Sequence, residues 1–110
     1  MEIECYNDLP NPHIDFTIRE MNGTMIFDTN NALLGCDLGN LRANTKLVVD
    51  YIFRMNLLKG TYTVGNHLEY EKAGSGYYDW VDPAITFKVT EDYSHDGIVH
   101  LQPTFRVLSS

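Results

Sequence analysis

Apolar and polar residues alternate along much of this chain with a period of two. In His13–Arg19, Ile14, Phe16 and Ile18 point one way and His13, Asp15, Thr17 and Arg19 the other, the pattern of a half-buried antiparallel strand. Asn22-Gly23 is a hairpin signal, and Thr24–Phe27 returns as the partner strand. Lys46–Phe53 alternates too, with Leu47, Val49, Tyr51 and Phe53 on one face. Its other face mixes Val48 and Ile52 with Lys46, Asp50 and Arg54, so something is expected to cover it. The chain is organised around Leu57–Val89, a strand, a long glycine-rich connection and a second strand. Leu58-Lys59-Gly60-Thr61-Tyr62 has the form of a tyrosine corner entering a central sandwich strand, with glycine relieving the backbone at the corner. Val64 and Leu68 continue the inward face, and Ile85, Phe87 and Val89 form the inward set of the second strand.

The remaining segments are shorter. Ile3–Tyr6 reads as a strand closed by Asn7-Asp8, Pro10 and Pro12. Asp28–Asn44 is irregular, its leucines fastening it to the core. Ile98–Leu101 and Phe105–Leu108 are extended segments split by Pro103. No helical periodicity and no repeat is visible. Seven or eight short strands at this spacing predict an all-β, antiparallel sandwich.

At 110 residues, the chain is expected to be one β-sandwich domain over residues 1–110. Being 44% hydrophobic, it can fill a core without disulfides or metals. A net charge of −7, with Lys and Arg scattered, argues against nucleic acid and anionic lipid as partners. No apolar run reaches membrane-spanning length, and the N-terminus is not a secretion signal. The chain starts almost inside a strand, which reads as a piece of a longer polypeptide. Without a secretory signal, Cys5 and Cys36 are expected as reduced thiols.

Little in the chain points to catalysis. Asp92-x-Ser94-x-Asp96-Gly97 resembles half a calcium loop, but Pro103 stands where a bidentate Glu is needed. His67 and Glu69 would share a strand face without a third metal ligand. No Gly-x-Ser-x-Gly and no phosphate-binding Gly-x-x-x-x-Gly-Lys is present. We therefore expect no enzyme activity, no metal site and no cofactor. What remains is aromatic and polar: Tyr70, Tyr77, Tyr78, Asp79, Trp80 and Asp82. Such residues either close the end of a sandwich or stack on sugar rings and bind their hydroxyls.

Several stretches carry a family resemblance: Leu57–Val64, Tyr78-Asp79-Trp80, Ala84–Val89, Gly97–Leu101, and the earlier Phe16–Arg19, Gly23 and Ile26–Asn30. In this order the chain resembles the C-terminal domain of the ATPase subunit, of the Wzt type, of O-antigen and polysaccharide ABC exporters. The resemblance implies an immunoglobulin-like β-sandwich that binds the exported glycan, often at a modified chain end. It also implies a homodimer in which C-terminal strands are exchanged, and an upstream ATPase domain that carries the hydrolysis. It places the protein on the cytoplasmic side of the bacterial inner membrane, peripheral through the transporter's membrane subunit. Domains of that family begin with at least one more strand than precedes Ile3 here.

The binding face is inferred from alternation. With Tyr62, Val64 and Leu68 inward, Thr63, Gly65 and His67 face outward. They are expected near Asp50 and Ile52, and near Thr86 and Lys88 if the strands are neighbours. The expected carbohydrate-binding residues are Asp50, Thr63, His67, Trp80 and Lys88. The alternative is a structural sandwich whose apolar outer face serves dimerisation alone. A small hydrolase would need an acid pair or triad that these residues do not assemble.

Overall fold

The computed structural model describes residues 2–70, 76–90 and 95–108, with side chains for all of these except 76–84. Its strands are β1 (Glu2–Glu4), β2 (His13–Glu20), β3 (Met25–Asn30), β4 (Lys46–Val48), β5 (Gly60–Tyr70) and β6 (Gly76–Val89). They form an antiparallel sheet in the order β3-β2-β5-β6 and a small β1-β4 pair. The fold is all-β, as the period-two alternation requires.

The register explains the packing. Ile14 pairs with Leu68 and Ile18 with Val64 across β2 and β5, so their apolar side chains share one face. Ile14 and Leu68 pack with Ile3, Cys5 and Leu9, and half-buried Leu38, Leu41, Leu47 and Val49 close over them. Phe16, Ile18, Tyr62 and Val64 form a second cluster with Phe87 and Val89. Tyr51 belongs to both: its ring stacks on Phe16 at 5.0 Å between centroids, and its hydroxyl donates to the Ile14 carbonyl. The β1-β4 pair and the segments after Leu38 and Val48 thus form the second layer.

The tyrosine corner is present. Tyr62 is buried, and its hydroxyl donates to the Leu58 carbonyl at 2.5 Å. Gly60 lets the corner close tightly here, since an added Cβ would stand 3.2 Å from the Tyr62 hydroxyl and 3.3 Å from its ring, and the ring would have to give by a few tenths of an ångström. Conformational freedom matters instead in the β2–β3 hairpin, where Gly23 has φ +93° and donates to the Glu20 carbonyl.

Three elements differ from expectation. The described residues hold six strands, because the last two extended segments make no ladder. Val99 forms one bridge, to Leu57, and residues 101–108 lie exposed, the chain turning at Gln102 with φ +54°. The strand starting at Lys46 stops at Val48, and Tyr51 continues by ring packing instead of pairing. Conversely, β6 is far longer than Ile85–Val89. Three residues, Asp82-Pro83-Ala84, stand opposite the single Gly65, a bulge that accommodates proline on an edge strand. Cys5 is buried and Cys36 exposed, and both are free. Asp92 and Ser94 of the half calcium loop, and Gly74-Ser75, lie outside the described residues.

Candidate functional site: the outer face of the four-stranded sheet

The same register that buries Ile14, Phe16 and Ile18 puts the polar residues between them on the opposite face. Reading across the sheet, His13 pairs with Glu69, and Glu69 with Tyr77. The next row runs Asn30, Asp15, His67, Trp80. Below it come Asp28, Thr17 and Gly65, then Met25, Arg19, Thr63 and Thr86. Lys88 stands opposite Thr61 at the far end. The β6 bulge falls in the third row, at Gly65, and bulges commonly lie beside binding sites, where they re-aim side chains.

The centre of this face is crowded and ordered. Thr17 and His67 are buried, and the Thr17 hydroxyl donates to Asp28 Oδ1 at 2.6 Å. Asp15 is half-buried. Its Oδ1 is shielded from solvent and meets no hydrogen-bond donor among the described residues. Burial first, then the nearby carboxylates of Asp28 and Glu69, raise the Asp15 pKa above the usual carboxylate value; His67 and a hydrogen bond from Asn30 oppose them. Ionised Asp15 is therefore held at a modest cost to the fold.

By register the structure brings Thr63, His67, Trp80 and Lys88 to this one face, although Lys88, opposite Thr61, stands three rows from that of His67. Asp50 does not join them. It is exposed in the second layer, where it borders a groove with Ile14, Asn31 and Tyr51 on the other side of the sheet. The alternation of Lys46–Phe53 placed Asp50 outward correctly, but outward from a different layer. Asp15, Thr17, Asp28 and Asn30 were absent from the expected site. The signal for Asp15 and Thr17 was the polar face of His13–Arg19, while Asp28 and Asn30 lie on β3, which runs past the expected Thr24–Phe27; what was lacking was that β2 lies between β3 and β5.

Chemically, the face offers carboxylate and hydroxyl acceptors, imidazoles, and two aromatic residues by register. No group of three His, Cys, Asp or Glu among the described residues is placed to hold a metal ion. The inner face carries a second feature, an open groove of about 330 Å³ lined mainly by Phe16, Ile18, Ile26, Phe27, Phe53, Leu57 and Val99.

Comparison with known proteins is consistent with this architecture. A family model described as the Wzt C-terminal domain matches residues 1–101. A solved structure, "Crystal structure of the C-terminal domain of wzt", superposes with a TM-score of 0.87 at 16% identity. It covers 97% of this chain, and this chain spans 66% of that one, just under two thirds. At that identity the likeness shows the fold. No curated protein matches.

Proposed function

Because this chain belongs to the Wzt C-terminal domain family, we propose that it is a non-catalytic carbohydrate-binding module serving a polysaccharide ABC exporter. In this reading it recognises an O-antigen-type polysaccharide for export. ATP hydrolysis resides in an upstream domain of the same subunit, of which residues 1–110 form a C-terminal part. The module sits on the cytoplasmic side of the inner membrane, held there through the transporter's membrane subunit. Among the described residues no helix is long and apolar enough to cross a membrane.

The observation that carries the reading is the outer face. Hydrogen-bonding side chains of Thr63, His67, Asp15 and Thr17 flank Gly65, and His67 pairs with Trp80. Sugars are bound by such surfaces, where aromatic rings meet the C–H face and ordered polar groups take the hydroxyls. The test is titration of the chain with the source cell's surface polysaccharide, intact and with its chain terminus removed. Trp80, the only tryptophan, reports binding by fluorescence. Saturable binding lost with the terminus supports recognition of chain ends, and binding that survives means recognition of the repeat. A folded dimer that binds neither, by calorimetry as well, defeats the glycan reading and leaves a domain for assembly alone.

A second observation favours dimerisation alongside glycan binding. Leu101, Phe105, Val107 and Leu108 are largely exposed, and so are Phe27 and Ile85 on the inner face. A monomer rarely shows so much apolar surface. We propose a homodimer in which the C-terminal segment after Pro103 is exchanged between copies. Truncation after Pro103 is expected to yield a monomer by light scattering; a truncated chain that stays dimeric would refute the exchange.

A further inference from the structure

We infer that Asn22 is a site of spontaneous deamidation, gated by opening of the β2–β3 hairpin. In the open turn the Gly23 main-chain nitrogen attacks the Asn22 side-chain carbonyl, and the isoaspartate that results loosens the edge strand β3. This modification is independent of any glycan bound to the outer face.

Asn22-Gly23 is the single Asn-Gly step in the chain; every other asparagine is followed by a residue that carries a side chain. Glycine matters because the attacking nitrogen must approach Cγ closely, and a Cβ on the following residue obstructs that approach. Both residues, and Thr24 after them, are exposed. A Cβ built on Gly23 would meet nothing within 4 Å, so water and hydroxide reach the site. The chemistry needs nothing more. The Gly23 N–H loses its proton to hydroxide as its nitrogen bonds to Asn22 Cγ, and the side-chain nitrogen takes up a proton and leaves as ammonia. Water then opens the cyclic imide at either carbonyl. One opening gives aspartate. The other gives isoaspartate, whose main chain runs through Cβ and Cγ and is longer by a methylene.

The closed turn holds this reaction in check. Gly23, at φ +93°, donates its N–H to the Glu20 carbonyl at 2.9 Å, and Glu20 donates to the Thr24 carbonyl at 2.9 Å, the pattern of a turn followed by a glycine bulge. The nucleophilic nitrogen is thus tied to Glu20. Asn22 Oδ1 accepts from the Thr24 amide at 3.0 Å. Both reacting groups are bonded within the turn, so reaction waits on local opening, which exposed loop tips undergo most readily. The two products differ in what they restore. Aspartate keeps an acceptor for the Thr24 amide and adds a negative charge to a turn that Arg19 already touches, its Nη1 lying 3.5 Å from the Gly23 carbonyl oxygen. Isoaspartate lengthens the loop between Glu20 and Thr24 and breaks the fit of their pairing. The strain falls on β3, an edge strand paired only with β2, which carries Ile26 and Phe27 of the open groove.

To test this, the 110-residue chain is aged for weeks in mildly alkaline buffer, both native and in denaturing urea. Isoaspartate is located by an isoaspartyl methyltransferase and peptide mass mapping. Modification is expected to concentrate in the peptide spanning residues 20–25 and to run at least about tenfold faster in urea than in the native chain. Asn22→Gln, whose longer side chain closes an imide far more slowly, is expected to abolish it. The aged native protein is then fractionated. Its isoaspartyl form should lose amide-exchange protection over Met25–Asn30 and melt below the unmodified chain, whereas Asn22→Asp should melt with the unmodified chain. Isoaspartate absent from Asn22 or concentrated at another asparagine would overturn the inference. So would equal rates with and without urea, an isoaspartyl form with unchanged exchange and melting, or an Asn22→Asp variant that melts as low as the isoaspartyl form.

Discussion

The two ends of the inner sheet face are built from the same alternation yet finish differently. At one end, Ile14 and Leu68 are sealed by β1, by Leu9 and by the segment carrying Leu38 and Leu41. The backbone there is stitched as well: Leu9 and Leu41 exchange both hydrogen bonds, and Asn31 accepts from the Ile14 amide while donating to the Cys36 carbonyl. At the other end, Ile18 pairs with Phe27 and Val64 with Ile85, but Phe27 and Ile85 remain more than half exposed beside an open groove. Equal hydrophobic patterning therefore does not ensure equal burial. The sealed end holds chain that folds back over it. The open end lacks such a cover among the described residues, while apolar chain beyond Pro103 stands uncovered elsewhere.

The sharpest way to break this comparison is truncation at each end. Ile14→Ala, at the sealed end, is expected to cost about 3 kcal/mol in chemical denaturation, from lost burial plus a cavity. Phe27→Ala, at the open end, should cost under about 1 kcal/mol in a monomer. If Phe27→Ala instead weakens self-association in sedimentation, the open groove is where two copies meet.

Next in size is the tyrosine corner, whose Tyr62 packs in the cluster at the open end. Tyr62→Phe removes the donor to the Leu58 carbonyl and leaves a buried acceptor, an expected loss of about 1–2 kcal/mol. Gly60→Ala presses a methyl group onto the Tyr62 ring and should cost roughly 1 kcal/mol; a neutral result would mean the ring can give way.

The smallest effect lies behind the sealed end, at Asp15. Its native pKa is raised, so between the unfolded carboxylate value and that raised value the folded chain holds more protons than the unfolded one. Stability should therefore fall as pH rises through this window and stay lower at neutral pH. Asp15→Asn is expected to stabilise the fold at pH 7 by at most roughly 0.5 kcal/mol, because solvent screens this partly exposed group, with no gain below the unfolded carboxylate value. Thermal melts of both proteins across the acid range check the sign, and a loss of stability at pH 7 would contradict it.

Much of this protein could be read along its own length. The faces of β2 and β5, the Asn22-Gly23 hairpin and the corner at Tyr62 are local consequences of alternation and turn chemistry, which act over a few residues. The sequence by itself therefore determined the fold class, the identity of the inward residues and the absence of recognisable catalytic motifs. Only tertiary structure decided which polar faces meet. Asp15 and His67 are 52 residues apart and become neighbours only because β2 pairs with β5. Asp50 alternates outward as legibly as Thr63, yet it falls in the other layer because Tyr51 turns inward to stack on Phe16. Strand length was likewise a tertiary matter. A ladder needs a partner's free edge: β5 supplies one that carries β6 back to Gly76, while the segment after Pro103 lies exposed and unladdered. Local patterning sets which side of a strand is apolar, but pairing across the chain sets what that side is placed against.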